Sequence, residues 1–138
     1  MPLRITLKSG ERLFIGGAVV SNDGSTCHLI VHNKVPILRQ KEILTEAKAI
    51  TPCMQIYLMI QLMYMDEGNV AKYHKIYWQL VREVVQAAPS TIPLIDRTST
   101  AILAGQYYQA LKQARKLIHY EKELVQYVHE SHQSVRTG

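Results

Sequence analysis

Cysteines are scarce in this 138-residue sequence, and long apolar runs are missing. Cys27 and Cys53 stand far apart and form no CxxC pair, which argues against a disulfide framework and favours a reducing compartment. The N-terminus lacks the apolar core of a signal peptide. The most apolar stretch, residues 56–65, contains Gln61 and is much shorter than the ~20 residues that span a bilayer. We therefore expect a cytoplasmic protein that does not enter the membrane.

Sequence signatures of catalysis and of metal binding are also missing. The chain has no GxSxG elbow, no P-loop and no GxGxxG motif. The carboxylates Asp66 and Glu67 are adjacent, but they fall in a predicted turn between helices. His129 and His132 have i, i+3 spacing, but a zinc site needs three or four convergent ligands and this pair lies in a polar tail. We expect no enzyme activity, no metal and no cofactor.

The composition permits several kinds of partner. Apolar residues make up 47% of the chain and charged residues 20%, which is typical of a folded globular protein. The 16 basic and 11 acidic residues give a formal net charge of +5, which permits an RNA, an acidic protein or an anionic surface as partner. All eight tyrosines and Trp78 lie beyond residue 50, and Phe14 is the one aromatic residue before it. An RNA platform of stacked aromatics is therefore not expected in the N-terminal part.

Residues 1–45 have the pattern of short β-strands. Apolar and polar residues alternate over residues 3–8, which predicts a half-buried strand. The dipeptide Asp23-Gly24 favours a hairpin. Pro36 cannot donate a ladder hydrogen bond, so the last strand should lie at a sheet edge or start late. We predict a small antiparallel β domain of four or five strands.

Residues 46–138 have helical periodicity instead. Thr51 and Pro52 place a capping hydroxyl before a proline at the first helical position. Three segments that interrupt the periodicity divide this part into three to four helices. These segments are 66–69, 87–89 and the surroundings of Gly105. The predicted fold class is α+β, with a β domain over 1–45 and a helical domain over 46–138.

The first predicted helix is apolar nearly all round and rich in methionine. One interpretation is a central helix that its neighbours bury. The other is a pliable surface that receives a helix of a partner protein. If a partner binds here, we expect these residues to contact it: Met59, Met63, Tyr64, Tyr107 and Tyr108.

Four basic residues flank the predicted strands. Arg4 and Lys8 share one face of the first strand, while Arg39 and Lys41 follow the last strand. If the first and last strands pair, the four side chains gather along one edge. Such an edge is either a solvated edge that charge protects from aggregation or a surface that contacts RNA phosphates. We predict RNA contact by these four residues.

Segments along nearly the whole chain resemble the FlbT family of bacterial flagellin-regulating proteins. They are MPLRITLKSGER at 1–12, VPILR at 35–39, QLMY at 61–64 and GQYYQALK at 105–112. The resemblance implies a cytoplasmic post-transcriptional regulator of flagellin, usually a repressor. It implies binding to the 5′ untranslated region of flagellin mRNA, which promotes decay of the message. The partners it implies are this mRNA leader and the protein FlaF.

The N-terminal part also resembles the small β-protein CsrA, in GERLFIG at 10–16 and RQKEI at 39–43. That family binds mRNA leaders with the edge formed by its first and last strands, as an intertwined dimer. The resemblance implies RNA contact at Lys8 and at Arg39 or Gln40, and it allows a homodimer. Leu7 departs from the family, which has a basic residue at that place.

A protein-binding role is the alternative to RNA binding. In that case the helices would hold FlaF or flagellin, as a binding module or a chaperone-like partner, and effects on the message would be indirect. A bare basic sheet edge would favour RNA, whereas an apolar groove beside Met59 and Met63 would favour a protein partner.

Overall fold

The computed structural model describes the backbone of residues 2–137 and the side chains of residues 2–131. Within these residues, five β-strands are followed by four α-helices, which confirms the predicted α+β class. The chain divides into two compact units, Met1–Ile43 and Leu44–Gly138. We call them the β unit and the helical unit.

The strands of the β unit form two small antiparallel sheets. They are β1 (Leu3–Leu7), β2 (Arg12–Ile15), β3 (Ala18–Ser21), β4 (Cys27–Val31) and β5 (Ile37–Arg39). β1 pairs with β4, and β2 lies between β3 and β5. β5 begins just after Pro36 and lies at a sheet edge, as Pro36 predicts. Gly16 and Gly17 have φ values of 56° and 94°, so they form the tight two-residue turn between β2 and β3 that only positive φ allows.

The hairpin predicted at Asp23-Gly24 is wrong, because this turn leads from β3 in one sheet to β4 in the other. Asn22 explains the path of the chain. Its side-chain amide donates to the carbonyl oxygens of Leu7 at 2.9 Å and Ser25 at 2.8 Å, and its Oδ1 accepts from the Gly24 N–H at 3.0 Å. These bonds tie the turn to the end of β1, so β4 pairs with β1 and does not return along β3.

The helices begin and end near the predicted breaks. They are α1 (Pro52–Met65), α2 (Val70–Ala87), α3 (Ile92–Leu103) and α4 (Tyr107–Thr137). The Thr51 hydroxyl accepts from the Met54 N–H at 3.2 Å, which confirms the predicted cap of α1. Gly105, with φ at 72°, lies in the turn between α3 and α4. None of the helices within residues 2–137 combines the length and the apolar character needed to cross a membrane.

α1 is the central helix of the helical unit. It packs against both α2 and α4, and α3 packs against α4. The buried side chains of α1 are Cys53, Ile56, Tyr57, Ile60, Gln61 and Met63. The buried Gln61 amide is satisfied, since it accepts from the Leu44 N–H at 2.8 Å and donates to the Leu44 carbonyl oxygen at 3.0 Å. This clamp holds the start of the helical unit against α1.

Candidate functional surfaces

The first and last strands do not pair with each other, because β1 pairs with β4 and β5 pairs with β2, so the condition for one shared basic edge is not met. Arg39 at the end of β5 still reaches β1 through its side chain. Its Nη1 atom donates to the Thr6 carbonyl oxygen at 3.1 Å. The hydrogen bond between these two strands therefore comes from a side chain and not from a ladder of backbone groups.

Glu11 brings together two of the four predicted RNA-contact residues. Its Oε1 atom accepts from the Lys8 backbone N–H at 3.0 Å and from Arg39 Nη1 at 3.3 Å. The ion pair is about two-thirds buried, with exposed side-chain fractions of 31% for Arg39 and 27% for Glu11. The Arg39 backbone N–H also donates to Glu42 Oε1 at 3.0 Å. The Arg39 charge is thus already matched by a carboxylate, and an RNA phosphate would compete with Glu11 for it. Sequence reasoning missed Glu11, although its place in the turn after Lys8 was visible.

The other basic residues of the set are exposed. Arg4 lies on the outer face of the β1–β4 pair, the face that also carries Thr6 and His28, and the Thr6 hydroxyl is 3.1 Å from His28 Nδ1. Lys8 lies in the turn after β1, and Lys41 lies in the 3-10 turn after β5. Exposed ammonium and guanidinium groups of this kind can contact phosphate oxygens without first breaking an ion pair with a carboxylate.

The predicted partner-contact residues differ in their accessibility. Met63 is completely buried, so it belongs to the core of the helical unit, and its assignment to a partner surface is corrected. Met59 and Tyr64 are half-buried, and the Tyr64 ring lies 6.0 Å from the Tyr108 ring between centroids. Tyr107 turns to α2 instead, where its hydroxyl is 3.4 Å from His74 Nε2.

An apolar groove of about 530 Å³ does exist in the helical unit, but it lies at the start of α1 and not beside Met59 and Met63. Met54, Ile118 and Val125 supply its apolar lining. At one side, the Glu121 carboxylate accepts from the Thr51 hydroxyl at 2.5 Å and from the Cys53 N–H at 3.1 Å. The lining side chains are Thr51, Met54, Ile118, Glu121, Lys122, Val125, Gln126 and His129.

The groups with shifted pKa values have structural roles. Burial, together with the charge and hydrogen bond of Glu121, raises the pKa of the Cys53 thiol, so it stays protonated and is a poor nucleophile at neutral pH. In the turn between α1 and α2, hydrogen bonds from Tyr73 (2.6 Å) and Asn69 (2.9 Å) lower the pKa of Asp66. Asp66 is therefore held as an acceptor for these two donors.

A basic face on α4 also lies outside the sites that the sequence predicted. Lys112, Arg115, Lys116 and His119 line a surface groove of about 410 Å³. Their i, i+3, i+4 and i+7 spacing was visible in the sequence, but only the packing of α4 shows that this side is exposed.

As for metals, the side chain of His132 lies outside the described residues. Among the described residues, no three His, Cys, Asp or Glu residues form a group that could hold a metal ion.

Comparison with known proteins places residues 3–125 in one family, whose model is described as flagellar protein FlbT. A Bradyrhizobium diazoefficiens protein named probable flagellum biosynthesis repressor protein FlbT 1 is 42% identical over 125 residues, covering 90% of this chain and 85% of its own length. A Rhodopseudomonas palustris relative with the name probable flagellum biosynthesis repressor protein FlbT is 40% identical and covers 91% and 98%. A Caulobacter vibrioides protein named flagellum biosynthesis repressor protein FlbT is 35% identical and covers 93% and 92%. No solved structure matches the chain.

Proposed function

Because the chain belongs to the FlbT family of flagellar proteins, we propose that it represses flagellum biosynthesis, as the names of its relatives state for them. It does so after transcription, by binding the 5′ untranslated region of flagellin mRNA in the cytoplasm and promoting decay of the message. The observation that best supports RNA as the target is the charge of the β unit. Residues 1–43 hold six basic residues against three acidic ones. Of the four in the proposed contact set, Arg4, Lys8 and Lys41 are exposed.

The chemistry of the β unit favours contact with the RNA backbone over base stacking. Its cations can neutralise phosphates, which releases counterions and makes binding depend on salt. Phe14, the one Phe, Tyr or Trp residue of this unit, is buried, so no phenyl, phenol or indole ring is offered to a base. Arg39 contributes when a phosphate displaces Glu11. The protein itself cleaves no RNA in this proposal, and it promotes decay by exposing the message or by recruiting a nuclease.

Binding of the purified protein to a labelled flagellin leader RNA tests this function. We expect tighter binding to the leader than to a shuffled RNA of the same length, and weaker binding as salt rises. Replacing Arg4 and Lys41 by alanine should weaken leader binding more than replacing Arg82 and Arg97, two exposed arginines of the helical unit. Equal affinity of both double variants and the wild-type protein would reject the β unit as the contact surface. Metal-dependent cleavage of the leader by contaminant-free protein would reject a non-enzymatic role.

A protein-binding role is the second candidate, and the apolar groove at Met54, Ile118 and Val125 favours it. At the edge of this groove, α4 exposes Val128, which a partner helix could cover. FlaF or flagellin would be the partner. Val125→Asp should abolish co-purification with FlaF if the groove holds it, while Ile30→Asp on the exposed face of β4 should leave it unchanged. Unchanged co-purification of the Val125→Asp variant would exclude this groove.

We also propose that two copies of the chain associate through β3. Within the described residues β3 pairs only with β2, and its four residues are exposed, with Val19 at 73%. An open strand edge with apolar side chains is a ready template for a second strand. Light scattering should give the mass of a dimer for the wild-type protein and of a monomer for Val19→Lys. A monomeric wild-type protein would contradict this.

A further inference from the structure

The two faces of the β1–β4 pair differ in character. Ile5 and Leu7 on the inner face are buried and pack with Leu13 in the core of the β unit. Because side chains alternate along a strand, the residues between them point to the opposite face. We call this opposite side the outer face, and its four residues are exposed. They are Arg4 and Thr6 on β1 and His28 and Ile30 on β4.

The fold holds the His28 ring in place on this face. Thr6 lies directly opposite His28 in the pair, and its hydroxyl is 3.1 Å from His28 Nδ1. A hydrogen bond to a ring nitrogen lies in the plane of the imidazole, so it orients the ring without covering its flat faces. Among residues 2–131, none of the contacts between aromatic rings involves His28. The outer face therefore presents an exposed and oriented planar ring.

Arg4 supplies a charge and a second planar group next to this ring. It lies opposite Ile30 and diagonal to His28, which places the two backbones about 7–8 Å apart. Over the side chains that the structure describes, no carboxylate forms an ion pair with Arg4 or His28. The acidic residues of the β unit all lie outside β1 and β4. They are Glu11, Asp23 and Glu42.

We propose that the outer face binds unpaired bases of single-stranded RNA, with one base stacked on the His28 imidazole and an adjacent phosphate held by the Arg4 guanidinium. This inference rests on the proposed function, because the RNA is the same molecule. It goes beyond the phosphate contacts proposed above, since it adds a base contact and assigns it to His28, with Thr6 as the residue that positions the ring.

The chemistry of the face favours RNA over an acidic peptide. Bases of single-stranded RNA stack on aromatic side chains, histidine included, and on the guanidinium plane of arginine. An acidic peptide would use the charge of Arg4, but its carboxylates would gain nothing from the flat face of His28. A planar ring and an unpaired cation side by side match the two parts of a nucleotide, its base and its phosphate.

The test uses the full chain and two labelled probes. One is a single-stranded segment of the flagellin leader, and the other is an abasic oligoribonucleotide with the same number of phosphates. The variants are His28→Ala, His28→Phe, which retains a flat ring without its nitrogens, and Arg4→Gln. The control is His119→Ala, which removes an exposed histidine of α4. Fluorescence anisotropy over a range of salt concentrations gives the affinity of each protein for each probe.

We expect His28→Ala to bind the leader segment roughly tenfold more weakly, as is usual for the loss of a base-stacking side chain. Its affinity for the abasic probe should equal that of the wild type, because stacking needs a base. His28→Phe should restore most of the lost affinity, and His119→Ala should bind as the wild type does. Arg4→Gln should bind both probes more weakly, with a log–log salt slope shallower by about 0.7.

The replaced side chains are exposed, so circular dichroism and the melting temperature should match the wild type. If the wild type binds the leader segment but His28→Ala binds it no worse than the control, the stacking inference is wrong, while RNA binding by the other cations of the β unit stands. Equal weakening of both probes by His28→Ala, or no recovery in His28→Phe, would also overturn base stacking. If the wild type binds neither probe at low salt, the proposed RNA-binding function is wrong and the inference falls with it.

Discussion

Replacing Glu11 by glutamine should strengthen RNA binding, although it removes a contact of the folded protein. In the wild type, Glu11 Oε1 lies 3.3 Å from Arg39 Nη1 and competes with any phosphate for the guanidinium group. Glutamine retains a carbonyl oxygen at this place, so it can still accept from the Lys8 N–H. The local fold should therefore persist while the negative charge is lost.

The size of the effect follows from the exposure of the pair. A hydrogen bond to a charged group contributes about 1.5–3 kcal/mol when fully formed. Arg39 is 31% exposed and remains bonded to the Thr6 carbonyl oxygen, so a screened value of about 1 kcal/mol is appropriate. This predicts roughly fivefold tighter binding of the leader RNA, and one added phosphate contact should make the salt slope steeper by about 0.7.

The assay is anisotropy of a labelled flagellin leader, with Asp23→Asn as the matched control. Asp23 is an exposed acidic residue of the same unit, and its replacement changes the net charge by the same amount. If Glu11→Gln binds no tighter than Asp23→Asn, the Arg39 guanidinium does not reach phosphate. Weaker binding of Glu11→Gln in a folded protein would mean that Glu11 orients Arg39 for RNA, which would refute the competition described above.

Two further predictions concern stability. Gln61→Met retains the side-chain volume but removes two hydrogen bonds to Leu44. In urea denaturation it should lower the free energy of unfolding by about 1–3 kcal/mol. The control Gln55→Met, on the exposed side of α1, should change the free energy of unfolding little. Equal effects would mean that the Leu44 clamp does not stabilise the fold. Tyr73→Phe removes the hydrogen bond that contributes most to the lowered pKa of Asp66. A carboxyl group with a lowered pKa stabilises the fold at pH values above its ordinary pKa of 3.8, and this stabilisation is lost as the pH falls through the lowered pKa. The wild type should therefore have a larger free energy of unfolding than Tyr73→Phe near neutral pH, and the difference between the two proteins should shrink in acid. A gap that does not depend on pH would exclude this role of Asp66.

Elements with local causes could be predicted from the order of the residues. Pro36 lacks an N–H, and so β5 starts after it. The Thr51 hydroxyl satisfies an N–H at the start of α1, and Gly105 takes up the positive φ that separates α3 from α4. The class of fold and the resemblance to a family rest on such residues and on segments that can be read without any long-range contact.

Which strands and helices contact one another depends on the folded chain. The pattern of β1 is compatible with several partner strands, and the bonds of Asn22 to Leu7 and Ser25 help to direct β4 to it. Likewise, an apolar spacing does not distinguish a core position from a groove, and the packing of α2 and α4 on α1 buries Met63. The pairing of opposite charges cannot be read from the sequence either. Arg39 looked like an unpaired cation until the fold brought Glu11, 28 residues away in sequence, to within 3.3 Å of it. Local backbone rules act between neighbours in the chain, whereas pairing, burial and ion pairing depend on distances that only folding sets.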